Sequence, residues 1–447
     1  MRKFLLSLSC IFCLSIFAIA QHDGHDHSHD GHNHDHSGHN HAHDHSGHNH
    51  AGHDHSGHGH DTHGGCGQHE KHEFNPGEAA FHHISDQNIY SIGPFSFPLP
   101  CMLYVPEKGW EIFSSGKFHA DAHGNGEYAY NQFILCEGSV RRVQDSSFPT
   151  GHVELGHHKV YPKKLKGDKG KDKEYAFVCY DGKEWQADSK STADGGMFGG
   201  GITSFYDFSI TKNVLTMVIV FAFLAWLFLK MARSYRERRG QAPTGVTNFI
   251  EPVFIFIQDE VAKPFLGAKW QKYLPFLMSI FFFVLGLNLF GQVPFFGGSN
   301  VTGNLSFTAV IAIIAFLVTT FSGNKHYWEH TLWMPGVPPL LKILVITPVE
   351  IMGMFIKPLT LMLRLFANIT AGHMVIAIFV GLIFVFGKSG ANPGAAYGTA
   401  VGSTLLTMFM MAIELLVAFI QAFVFTILTA SYIGAAVEEG HHEEAHH

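Results

Sequence analysis

Residues 361–373 read LMLRLFANITAGH, inside an apolar stretch from Pro339 to Phe386 that is long enough to cross a bilayer. Arg364 is the informative residue. A guanidinium keeps its charge in proteins, and at membrane depth it costs at least about 2.5 to 3.5 kcal/mol, so a chain that keeps one there has a use for it. At about 100° per residue on a helix, with Glu350 at zero, Lys357 falls near −20°, Arg364 near −40°, Asn368 near zero and Thr360 near −80°. They form a polar lane on an otherwise apolar helix, whereas His373, near 140°, points elsewhere. Downstream, Thr407, Glu414 and Gln421 recur every seven residues and make a second lane. No acid on its own helix stands one turn from Arg364, so its counter-charge is expected from another helix or another chain. Titratable clusters on opposite sides of a fixed cation suit a proton path made of two offset aqueous half-channels.

The elements that must hold these residues follow from hydropathy. A first span covers about 211–230 and ends in Lys230, Arg233, Arg236, Arg238 and Arg239, which marks that end as cytoplasmic. Residues 247–267 are too short between their charges and Pro264 to span, and are expected along the inner interface. A hairpin follows, about 273–294 and 305–321, turning through GQVPFFGGSNVTGN. As one helix, Pro339 to Gly387 would be roughly 70 Å long, against a hydrocarbon core of about 30 Å. It must tilt steeply, lie partly in the plane, or break near Pro348 or Pro358. The last helix, about 399–434, is also overlong, and the short KSGANPG connection makes the two antiparallel. With the long helix running outward, Glu350 lies on the cytoplasmic side, Arg364 near the middle and His373 toward the outside. The last helix returns inward, so Glu414 lies in the outer half and Gln421 deeper. His373 and Glu414 are therefore at matching depth for exchanging a proton.

The remaining sequence is of another kind. The first residues, MRKFLLSLSCIFCLSIFAIAQ, pair a basic start with an apolar run and a small-x-small site, so residues 1–20 read as a signal peptide cleaved after Ala20. Residues 21–73 repeat DHSGH and hold 20 of the 34 histidines. This composition predicts disorder, and imidazoles such as His25, His27, His29, His32, His34 and His36 suit zinc, nickel or copper. Residues 74–200 read as a small β-rich periplasmic domain with runs such as CMLYVP and EYAFVCY, a Lys-rich solvated loop at 163–173, and a glycine hinge at 195–201. Its Cys101, Cys136 and Cys179, with Cys66 upstream, suit an oxidising compartment, free or paired. A net charge of −7 and the lack of a basic, aromatic-interleaved patch exclude nucleic acid as a partner. Residues 201–447 are the membrane domain. The fold class is thus an all-α polytopic membrane protein of about five transmembrane helices plus an interfacial helix, ending in a long tilted helical hairpin, with a β-rich periplasmic domain and a disordered His-rich tract.

The membrane half, about 201–434, resembles the a subunit of F-type ATP synthases. RLFANITAGH is similar to that family's Arg-Leu-Phe-Asn/Gly-Asn pattern, and Glu414 and AFIQAFVFTIL support the match. The resemblance implies a non-catalytic, ion-conducting subunit of the bacterial inner membrane, needing no cofactor and partnered by a c-ring and b-type peripheral stalk subunits. It implies that Arg364 faces the ring carboxylates, that His373, Glu414, Asn368 and Gln421 line the periplasmic entry path, and that Glu350 serves the cytoplasmic exit bordered by Lys357 and Thr360. Ala367 stands where the family often has Gly. Some relatives exchange the helix positions of the acid and the imidazole, which fits a contacting pair. The rival reading, a metal transporter with a His-rich tail, would need several ligands inside its spans, where this chain offers one His beside an Arg and a Lys. A phosphate-binding loop at Gly387-Lys388-Ser389 is rejected, because Gly381 is one residue out of register.

Overall fold

The computed structural model describes residues 2–19, 85–92, 95–121, 124–166, 172–193, 203–293, 299–332, 339–387 and 392–438. Helix α1 (Arg2–Ile19) is followed by a β region and then by the membrane helices. These are α2 (Lys212–Glu237), α3 (Val246–Phe256), α4 (Trp270–Gln292), α5 (Leu305–Ser322), the short α6 (Lys325–Leu332), α7 (Thr347–Phe386) and α8 (Pro393–Val437). Among the described residues, five helical segments, 212–237, 246–292, 305–322, 344–386 and 393–437, are long and apolar enough to cross a membrane. Their shared core is aromatic and aliphatic, with Phe228, Phe281, Phe283 and Phe307 at 0–1% exposure. Between lipid-facing helices this packing is held by close contact more than by water exclusion, since lipid is as apolar as the side chains themselves.

Helix α1 seats against α2 and α4. Phe4 meets Phe228, Phe12 stacks on Phe221 at 4.3 Å, and Ser279 Oγ donates to the Phe4 carbonyl at 3.0 Å. Phe4 therefore sits at the level of Phe228.

Segment α3 continues through a π-helical turn, Ile257–Ala262, and Lys263–Leu266, burying Ile257, Val261, Ala262 and Leu266 in one stripe against the bundle. Asn304 caps α5, accepting from Ser306 N at 2.9 Å, and Asn392 caps α8, accepting from Ala395 N at 3.2 Å beside Pro393 at the first helical position. Helix α7 is unbroken over 40 residues, about 60 Å at 1.5 Å per residue. Of the options its length left, a break at Pro358 is excluded, because that proline lies inside the helix. The irregularity comes just before Pro348, as a π-helical stretch at Lys342–Ile346. Helix α8 begins at Pro393, six residues ahead of the expected 399, because Asn392 supplies the cap.

The β region is antiparallel throughout. Its strands are β1 (Ile89–Ile92), β2 (Phe95–Pro98), β3 (Pro100–Val105), β4 (Gly109–Ser114), β5 (Tyr128–Tyr130), β6 (Phe133–Cys136), β7 (Ser139–Arg142), β8 (His152–Glu154), β9 (Val160–Lys166), β10 (Asp172–Tyr180), β11 (Lys183–Gln186) and β12 (Tyr206–Asp207). They form sheets ordered β1-β2, β12-β3-β4, β7-β6-β5-β8 and β11-β10-β9. The two ends of the Lys-rich run are strand and not loop: Lys163–Lys166 belong to β9 and pair with Asp172–Tyr175 of β10, while 167–171 lie outside the described residues. Lys163 is held by Glu184 at 3.1 Å, and lysines on an edge strand discourage further strand addition. Cys179 is disulfide-bonded. Cys101 is a fully buried thiol whose pKa burial pushes up to about 12, so it stays protonated.

The β region grips the start of α2. Thr211, at the cap position, makes no side-chain cap bond; instead Asp86 Oδ1 accepts from Asn213 N at 3.0 Å. Lys212 N donates to the Gln87 carbonyl at 2.8 Å, and Asn88 N to the Gly138 carbonyl at 2.7 Å. A carboxylate at a helix N-terminus satisfies an orphan donor and opposes the positive end of the helix dipole.

Candidate functional site

Helices α7 and α8 form an antiparallel hairpin whose register is set by two cross-helix contacts. His373 Nε2 lies 3.6 Å from Glu414 Oε1, and Lys357 Nζ lies 5.5 Å from the centre of the Tyr432 ring. Ser403 Oγ donates to the Phe379 carbonyl nearer the hairpin turn. That register places Gln421 at the depth of Arg364 to Asn368.

Glu414 is buried and His373 half-buried, their side chains 5% and 16% exposed. Among the described residues nothing donates a hydrogen bond to Glu414 Oε1, the carboxylate oxygen that faces the imidazole. The backbone around it is tied to α4. Gln292 Nε2 donates to the Glu414 carbonyl at 2.8 Å, and Asn288 Nδ2 to the Ala418 carbonyl at 3.1 Å. Gly372 makes the approach possible: a Cβ there would stand 2.9 Å from Glu414 Oε1.

Arg364 lies on the other side of α7. Leu361, Leu365 and Ile369 form the buried row of that helix, and their angular position separates the polar lane from His373. Glu350, Lys357, Thr360, Arg364 and Asn368 are all exposed. Among the described residues no carboxylate lies within ion-pair distance of Arg364. Around it the hairpin presents bare apolar side chains, Phe355, Leu359 and Leu363 on α7 and Leu405, Met408 and Leu416 on α8. Thr360 Oγ1 donates back to the Ile356 carbonyl at 2.9 Å, so its hydroxyl is engaged by its own helix. Glu350, near the start of α7, lies within electrostatic reach of Tyr327 on α6. The second lane divides as its heptad spacing requires, with Glu414 and Gln421 buried and Thr407 half-buried.

Comparison with known proteins matches this architecture. Residues 214–434 match the family model of the ATP synthase A chain. The ATP synthase subunit a of Chloroherpeton thalassium is 41% identical over 248 residues, covering 54% of this chain and 71% of that protein. That of Pelodictyon phaeoclathratiforme is 40% identical over 253 residues, with coverage of 54% and 71%. The chain belongs to the ATP synthase subunit a family. It is a membrane-sector subunit of an F-type ATP synthase. The β region has its own match, at residues 79–175, to a family described as a domain of unknown function.

Within this subunit a, sequence reasoning had not singled out Asn288, Gly291, Gln292 and Gly372. The run LGLNLFGQ held the signal, since two amides and two glycines inside an apolar span mark a place where another backbone approaches. His25, His27, His29, His32, His34 and His36 lie outside the described residues. Among the described residues no group of three or more His, Cys, Asp or Glu side chains is placed to hold a metal. Gly372→Ala should drive the Glu414 carboxylate away from His373 and lower passive proton conduction about three- to tenfold in an assembled complex. Conduction equal to wild type would show that the close approach is unimportant.

Proposed function

We propose that this chain is the proton-conducting stator of the synthase, with Arg364 opposite the mid-membrane carboxylates of a rotating c-ring and the His373–Glu414 pair on the entry path. The carrying observation is the division of α7 into two faces, with Arg364 exposed among bare apolar side chains and without an ion-pair partner among the described residues on one, and the His373–Glu414 imidazole–carboxylate pair on the other. A protonated ring carboxylate can face lipid at little cost, whereas an ionised one cannot, so each must be neutralised before it leaves the interface. Arg364 provides the charge that favours ionisation where protons are exchanged. It stands nine residues from His373, roughly 13 Å along the helix, so the cation separates the entry pair from an exit served by Glu350. Asn368 and Gln421, at the same depth, line the step between the entry pair and the ring, while Lys357 and Thr360 border the exit. The transmembrane potential adds about 2.3 kcal/mol per charge per 100 mV. The chain performs no bond chemistry in this role; ATP is made on other subunits, and b-type stalk subunits hold this one against rotation.

The basic end of α2 is assigned to the cytoplasm and the β region to the periplasm of a bacterial inner membrane. The test is proton-driven ATP synthesis together with passive proton conduction in vesicles holding the assembled complex, comparing wild type with variants of Arg364 and of the His373–Glu414 pair. Unchanged synthesis in both sets of variants overturns the reading.

Residues 1–20 are proposed as a cleaved export signal, on the small-x-small site before Gln21. Mass spectrometry of the subunit from membranes should then find an N-terminal peptide starting at Gln21. A peptide starting at Met1 would instead make α1 a permanent sixth membrane helix in the groove it occupies.

A further inference from the structure

The family match begins at residue 214 and leaves the β region without a role, yet a series of buried polar groups runs from that region to His373. Tyr90 on β1, 4% exposed, has its phenol within hydrogen-bonding reach of the Thr216 side chain on the second turn of α2. Ser299 Oγ, in the α4–α5 connection, donates to Thr216 Oγ1 at 2.8 Å. The Ser299 backbone then passes Gly291. A Cβ at that glycine would lie 2.7 Å from the Ser299 carbonyl oxygen and 3.9 Å from His373 Nε2, so one methyl-sized space touches both.

The first turn of α2 adds to this series. Lys212 and Asn213 share the helix face of Thr216 at spacings of four and three, are 3% and 1% exposed, and are bound through their backbone to Gln87 and Asp86 of the β region. Lys212 is within electrostatic reach of His373. Asn213 Oδ1 is buried and accepts no hydrogen bond from any of the described residues. Buried amides and hydroxyls in an apolar bundle cost free energy unless they are paired or hydrated. Hydroxyls both donate and accept, which is what a chain that passes protons requires.

We propose that the β region completes the proton entry path, so that protons reach His373 along a polar track walled by Tyr90, by Asn213 and Thr216 of α2, and by Ser299. The extra domain is then part of the conducting machinery and covers the mouth of the entry path. This inference rests on the reading of His373 and Glu414 as the entry pair.

The experiment measures passive proton conduction per assembled complex in vesicles for Thr216→Val, Thr216→Ser, Tyr90→Phe and, as a reference for the pair, Glu414→Gln. Val keeps the shape of Thr and removes the hydroxyl, whereas Ser keeps the hydroxyl and removes a methyl. The expected result is a fall of about threefold or more for Thr216→Val and Tyr90→Phe, with Thr216→Ser close to wild type. If Glu414→Gln blocks conduction while Thr216→Val and Tyr90→Phe conduct normally, the track is refuted and the entry pair stands. If Thr216→Ser is as slow as Thr216→Val, packing and not the hydroxyl matters, and the track is again refuted. If Glu414→Gln conducts like wild type, the entry pair falls and the track with it.

Discussion

Replacing Arg364 by Ala is expected to drop proton-driven ATP synthesis to background, a loss of at least about a hundredfold, in a complex that still assembles. Assembly should survive because the side chain is exposed and ion-pairs with no carboxylate among the described residues. The loss follows from electrostatics. A cation about 4 Å from a ring carboxylate at an effective dielectric of 20 is worth about 4 kcal/mol, which is about three pKa units of the carboxylate. Without it the carboxylate stays protonated at the exchange position and the ring cannot be loaded from one side and unloaded to the other. Arg364→Lys should recover little, since a flexible point charge replaces a planar fork. Passive proton leak through the assembled sector should rise in Arg364→Ala, because the fixed charge between entry and exit is gone. Synthesis at a tenth of wild type or better would sink the assignment.

The second large effect is expected at the His373–Glu414 pair. Glu414→Gln keeps the shape and burial of the side chain but removes its titration, and should lower both synthesis and passive conduction about tenfold or more. His373→Ala should do the same. Two groups that pass one proton between them act as a unit, so the double variant His373→Ala/Glu414→Gln should be no worse than the poorer single variant. Multiplying effects would show that the groups act separately, and their 3.6 Å approach would then be structural. Glu414→Asp should fall between wild type and Gln, since it titrates but is one methylene short of the imidazole. The two predictions separate by leak: removing Arg364 raises passive conduction, and removing either member of the pair lowers it.

The sequence by itself determined the parts that follow one-dimensional rules. Apolar runs measured against the thickness of a bilayer located the spans, and helical phase put Arg364 and His373 on different faces of α7. The depth argument that joined His373 to Glu414 needed only an antiparallel hairpin. Other features depended on contacts between segments distant in the chain. That α7 runs intact through Pro358 while the π-helical stretch falls before Pro348 was open to the sequence, because either proline could end a helix. The Lys-rich run read as a loop because strand pairing with β10 is not written in its own composition. Asp86 capping α2 across 127 residues, Gly372 admitting the Glu414 carboxylate, and Tyr90, Thr216 and Ser299 meeting from three parts of the chain are set by tertiary packing alone. A local pattern encodes which face of a helix is polar, but only the assembled bundle decides what that face meets.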